Sequence, residues 1–160
     1  MIRYKHSQFG WVIVLGLLLV GVMATLTAVG QQSDPIEGFR IRLGMSLLIL
    51  PCMLLFYCLR TTVTDKDVTV VFGIGMVRKT ILLDDIEQCE PKKKQFVLGW
   101  GLRYRWDYTL WNVSGLDSVE LTFKNKNRKF RIGTDQPDEL CEAINKAIVE
   151  RSLLKSGGLL

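Results

Sequence analysis

Apolar positions fall in two unbroken blocks at the front of the chain and in short alternating runs after them. Phe9–Gly30 holds no charged side chain, and neither does Leu43–Leu59. As a helix the first block reaches roughly 33 Å at about 1.5 Å per residue, enough for a hydrocarbon layer of about 30 Å. The second reaches about 25 Å, and Ile41 with snorkelling Arg42 and Arg60 extends it. Pro51 near its middle predicts a kink. The blocks predict a two-helix transmembrane hairpin over 9–59, preceded by a tail over 1–8. Two rivals stand beside that reading. One is a pair of buried core helices. The other is a cleaved signal peptide, because Ala28-Val29-Gly30 has the small-x-small form of a cleavage site.

From Arg60 onward the period changes to two. Val68, Val70 and Phe72 alternate with Thr69 and Val71, and Gly73-Ile74-Gly75 breaks the run as a turn. Val77, Ile81 and Leu83 share the next strand face, with Lys79 as an exception. Over Asp117–Gly133, Val119, Leu121 and Phe123 point one way and Glu120, Thr122 and Lys124 the other. Pairing Phe123 with Phe130 makes Lys126-Asn127 a two-residue loop, with Thr122 opposite Arg131 and Glu120 diagonal to it. Lys124, Lys129 and Arg131 then form an outward cationic row. Asp135 predicts a helix N-cap, Pro137 fits the first turn, and Leu140, Ile144, Ala147 and Ile148 form an apolar stripe. The expected soluble unit spans 60–152: about seven strands in a small antiparallel barrel or two packed sheets, capped by the C-terminal helix. Residues 153–160 read as a flexible tail.

Charge sets the orientation. Arg3, Lys5, Arg60, Lys66, Arg78 and Lys79 flank the blocks on the terminal sides, whereas Arg40 and Arg42 lie in the connection. The excess of cations places both termini in the cytoplasm. Residues 60–160 carry 17 Lys/Arg against 14 Asp/Glu, a net charge of +3. That suits a nearby anionic membrane and is too weak to argue for nucleic acid.

The four cysteines, Cys52, Cys58, Cys89 and Cys141, form no Cys-x-x-Cys and read as reduced thiols. The one histidine is His6, so the domain offers no visible metal set or nucleophile–base pair. Asp84-Asp85 with Glu87 reads as a surface turn. No cofactor and no enzymatic activity are expected. The blocks contain no ionisable residue of the kind that marks a proton or ion pathway.

The strands-then-helix order resembles the pleckstrin-homology (PH) fold. The stretches Leu110-Trp111-Asn112-Val113-Ser114-Gly115-Leu116-Asp117-Ser118-Val119-Glu120-Leu121 and Phe130-Arg131-Ile132-Gly133-Thr134-Asp135-Gln136-Pro137 resemble those of bacterial PH-domain membrane proteins. The resemblance covers roughly residues 60–150. It implies a PH-like domain on the cytoplasmic side of an inner membrane, a fold that hosts lipid binders, peptide binders and oligomerisation modules alike. The loop Thr64-Asp65-Lys66-Asp67 stands where phosphoinositide-binding members carry basic residues, and here it is short and net acidic.

Four features are candidates for contact. Trp100, Arg103 and Arg105, in a segment that interleaves aromatics with arginine, suit a membrane surface or a partner; the plain alternative is a strand with Leu102, Tyr104 and Trp106 inward and both arginines in water. Lys92, Lys93 and Lys94 read as a solvated loop or an anionic-lipid contact. Gly21 with Thr25, and Ala24 with Ala28, are small pairs four apart that permit close helix packing, within the hairpin or between copies. The expected function is a membrane-tethered interaction or scaffold module with a protein partner or its own copies. An anionic-lipid surface binder is the alternative.

Overall fold

The computed structural model describes residues 1–30, 35–93 and 101–157. Its described residues form nine strands and three long helices. They are β1 (Ile2–Phe9), α1 (Trp11–Gly30), α2 (Pro35–Phe56), β2 (Cys58–Thr64), β3 (Asp67–Phe72), β4 (Val77–Leu82), β5 (Ile86–Lys92), β6 (Gly101–Tyr104), β7 (Tyr108–Asn112), β8 (Ser118–Phe123), β9 (Lys126–Gly133) and α3 (Pro137–Gly157), with a single 3-10 turn at Leu83–Asp85. They make two sheets, β1-β2-β3-β4 and β5-β8-β9-β7-β6, and no closed barrel. The alternating residues predicted inward do face inward. Leu59, Val68, Val70 and Phe72 of the first sheet meet Val119, Leu121, Phe130 and Ile132 of the second, and Leu140, Ile144 and Ala147 of α3 close the same core.

Several expectations need correction. Residues 1–8 are not a tail: Lys5 pairs with Thr62, Ser7 with Arg60 and Phe9 with Cys58 in an antiparallel ladder. The apolar blocks are also redrawn. Phe9 ends a strand, and α2 starts at Pro35, ahead of Leu43, taking Arg40 and Arg42 into its first turns. Leu59 lies beyond α2 as a β2 residue that is 1% exposed. Among the described residues one helix, Ile36–Phe56, is long and apolar enough to cross a membrane, and Trp11–Thr27 is apolar but shorter. The predicted count of about seven strands missed β1 and the extra division of the second sheet. α3 continues through Gly157, so the expected tail over 153–160 begins inside a helix.

The β8–β9 hairpin turns at Lys124-Asn125, with Phe123 opposite Lys126 and an irregularity between Leu121 and Phe123. Leu121 therefore faces Phe130, and Glu120, not Thr122, faces Arg131. β7 and β9 run parallel, which an all-antiparallel barrel does not contain. Trp111 sits between Phe72 and Phe130, with ring centroids 5.2 and 5.6 Å away.

The hairpin interrupts the first sheet between two neighbouring strands. β1 runs into α1 and α2 runs into β2, and the Gly10 N–H closes the junction on the Tyr57 carbonyl at 2.7 Å. Both helices thus leave one end of the domain, called proximal below. Register carries this direction into the second sheet. Ser114 Oγ donates to the Phe9 carbonyl and Gln8 Nε2 to the Ser114 carbonyl, each at 2.8 Å, so the Asn112 end of β7 is proximal. Its Tyr108 end is distal, about 14 Å away at roughly 3.4 Å per residue.

Candidate functional site

A cationic cleft with an aromatic rim runs from the middle of β4 to the distal end. Its floor is Lys79, the inward exception on β4, which pairs with Val70 on one side and, among the described residues, has no strand on the other. Lys79 Nζ lies 4.0 Å from the centroid of the Phe130 ring. Burial pushes its pKa down, and Lys126 and Arg128 push it further in the same direction. A half-buried ammonium with two cationic neighbours wants an anion. The cleft holds about 310 Å³ between β4 and the β8–β9 hairpin, with Thr80, Thr109 and Asp85 among its walls.

The rim is the loop between β6 and β7. Arg105 N–H donates to the Tyr108 carbonyl at 2.9 Å, Arg128 Nη2 to the Arg105 carbonyl at 3.0 Å, and Lys129 N–H to the Asp107 carbonyl at 2.9 Å. The loop is therefore pinned to the start of β9. It holds Trp106 wholly in solvent at 104% exposure and Tyr104 at 70%. Arg128 stacks over Tyr104, with Cζ 5.7 Å from the ring centroid. The inward placement expected of Tyr104 and Trp106 is wrong: Tyr104 is the last residue of β6, the outermost strand of its sheet, and the chain bends at Trp106-Asp107. Leu102 alone of the three packs against the core.

Beside the rim lies a charge cluster centred on one buried carboxylate. Arg103, Leu110, Arg131, Glu120 and Glu90 form one rung across the second sheet. The Glu120 side chain is 2% exposed; it accepts bonds from Lys129 Nζ and Arg131 Nε, both at 2.7 Å. Burial raises its pKa, but those two bonds outweigh the burial and hold it below the usual glutamate value. The Arg131 guanidinium also covers Tyr108 at 3.9 Å. The outward cationic row is thus two residues shorter than expected: Lys129 and Arg131 neutralise Glu120.

The remaining candidates scatter. Trp100 and Lys94 lie outside the described residues. Lys92 pairs with Glu90 at 2.9 Å, and Lys93 pairs with Asp138. Both lysines sit at the proximal end, since Lys92 faces Ser118 and Ser118 faces Gly133. Arg103 and Arg105 are exposed near the rim. Gly21, Ala24 and Thr25 line the seam between α1 and α2 opposite Ser46 and Ile49, and a Cβ on Gly21 would lie 3.6 Å from Ile49 Cδ1. The Ala28 side chain lies outside the described ones.

Sequence reasoning missed Lys79, Lys126 and Arg128 as a set. The one available signal was Lys79 itself, a lysine on an inward strand position. Elsewhere, Asp84 accepts bonds from Arg151 Nε at 2.7 Å and Nη2 at 2.8 Å, which tie the 3-10 turn to α3 and hold the carboxyl far below its usual range. Among the described residues the cysteines are free thiols, and no three His, Cys, Asp or Glu come together as a metal site. No family model matches the chain, and no curated protein matches it.

Proposed function

We propose that this chain is a membrane-anchored, non-enzymatic interaction module. It holds a PH-like domain at the cytoplasmic face of an inner membrane and presents its distal end to an acidic segment of a partner protein. The observation that carries the reading is Trp106, wholly exposed on a pinned loop and rimmed by cations, at the end opposite the helices. An exposed tryptophan beside arginine is the usual energetic centre of a protein contact. The cleft around Lys79 favours carboxylates, and the free edge of β4 suits an extended strand laid along it. Helix α2 and the cation excess on the terminal sides support the membrane placement. A tethered module also needs only weak contacts, because confinement raises the effective concentration.

The alternative, an anionic-lipid surface binder built on the same aromatic loop, is disfavoured. The loop lies a full strand length from where α2 leaves the domain, and Lys92 and Lys93 are already paired with carboxylates. The test is photocrosslinking of the full-length protein in its native membranes, with a benzophenone amino acid in place of Tyr104. A defined protein adduct is expected, lost in the Arg105→Glu/Arg128→Glu variant and kept in Lys93→Glu. No protein adduct, or one indifferent to charge reversal, overturns the reading. An adduct of twice the chain mass assigns the partner as a second copy.

A further inference from the structure

Three features meet at the proximal end that the partner site does not use. The first is the turn Gly73–Met76 between β3 and β4, which is seated on the last turn of α2. Ile74 N–H donates to the Leu54 carbonyl at 3.3 Å. Gly73, at φ +46°, comes so close to α2 that a Cβ there would lie 2.1 Å from the Leu54 oxygen. The turn therefore shares the depth of the end of an apolar helix. It carries Ile74 at 56% and Met76 at 76% exposure, where turns ordinarily place polar residues.

The second is an aromatic cluster at the same level. Phe9 packs edge-on against Trp11 at 4.7 Å and against Tyr57 at 6.3 Å, and Trp11 is itself 64% exposed. Tryptophan and tyrosine concentrate where hydrocarbon meets headgroups. The third is a pair of arginines. Arg60 and Arg78 flank Val71 from its two neighbouring strands, and both are exposed. Each is two residues along its strand from the apolar level, about 7 Å. That is where phosphates stand above the hydrocarbon edge, and guanidinium takes phosphate in a forked geometry.

We propose that the Gly73–Met76 turn is a lipid-contact site: Ile74 and Met76 enter the hydrocarbon edge while Arg60 and Arg78 hold lipid phosphates. This rests on α2 as a membrane span and is independent of the partner site. The turn then gives the domain a third foot beside α1 and α2. It fixes which way the distal cleft faces, instead of leaving the domain to swivel on its two junctions.

The test uses the full-length protein in vesicles of phosphatidylethanolamine and phosphatidylglycerol. A benzophenone amino acid replaces, one at a time, Ile74, Met76, Leu47 on the exposed face of α2 and Trp106 at the distal end. Lipid adducts at Leu47, Ile74 and Met76, and none at Trp106, are expected. Adducts at Leu47 alone overturn the turn site while leaving the span intact. Adducts at none of the four overturn the span and the turn site together. Protein–protein adducts at Ile74 and Met76 in place of lipid ones overturn it, as does a lipid adduct at Trp106 equal to those at the turn.

Discussion

Arg131 stands directly across the β8–β9 pair from Glu120, and its Nε reaches a Glu120 carboxylate oxygen at 2.7 Å while its guanidinium lies over Tyr108. Lys129 takes the other carboxylate oxygen. Arg131 and Glu120 are thereby withdrawn from the surface on which sequence alternation put them, while Lys129 stays exposed with its ammonium on the buried carboxylate.

Glu120→Gln leaves two cations beside a neutral amide and should cost about 3 kcal/mol of stability, as removing one partner of a buried pair does. The pH dependence tests the cause. Glu120 is held below the usual glutamate value, so its contribution is present above about pH 4.3 and is lost as pH falls through the lower folded-state value. Urea unfolding in detergent should show a constant gap between wild type and variant near neutrality, closing in acid.

Lys79 has the opposite sign. Its pKa is lowered by burial and by its cationic neighbours, so its charge opposes folding near neutrality. That penalty disappears as pH rises through the folded-state value towards the ordinary lysine range. Lys79→Met keeps the packing on Phe130 and should raise the unfolding midpoint at pH 7, with the gain vanishing in alkali. Added sulfate should stabilise wild type more than this variant.

Deleting residues 1–8 should destabilise the first sheet well beyond the roughly 0.5 kcal/mol expected of an exposed tail. β1 covers the β2 edge along its length, and Tyr4 packs on the core. A thermal melt in detergent that is unchanged by the deletion would rule out a stabilising role for β1.

Gly73→Ala should cost about 2 kcal/mol or more, because alanine at positive φ is strained and its methyl would meet the α2 carbonyls. The effect should appear in the melt of the whole chain and in increased protease cutting at the β3–β4 turn.

Trp106→Ala should leave stability within about 0.5 kcal/mol of wild type, since the side chain is solvent on every side. The partner adduct at Tyr104 should nonetheless be lost. A variant that unfolds would show that Trp106 packs, not docks.

Much of the architecture was legible wherever the signal is local. The alternation of Val68, Val70 and Phe72, the apolar stripe of α3 and the turn at Gly73 each depend on a few neighbouring residues. What failed depends on distant pairing. β1 has polar and apolar residues mixed, and its partner lies some fifty residues on, beyond two helices; nothing within residues 2–9 reveals that. The β8–β9 register failed for a smaller reason. One irregularity between Leu121 and Phe123 moves the turn from Lys126-Asn127 to Lys124-Asn125, and so brings Glu120 opposite Arg131. Of the candidate site, the aromatic loop was visible as composition, but its direction was not. Alternation buried Tyr104 and Trp106 because it sees neither that β6 lies at the sheet's edge nor where it stops.

Because α1 and α2 are spliced between adjacent antiparallel strands, any pull on the anchor arrives at Phe9 and Cys58 together, at one end of their ladder. A load in one direction on both strands does not part β1 from β2; it passes to the β2–β3 ladder, whose five pairs from Leu59–Phe72 to Val63–Val68 lie along the pull and must shear together. Force entering through the helices would therefore have to break that whole row at once before the distal tip could loosen.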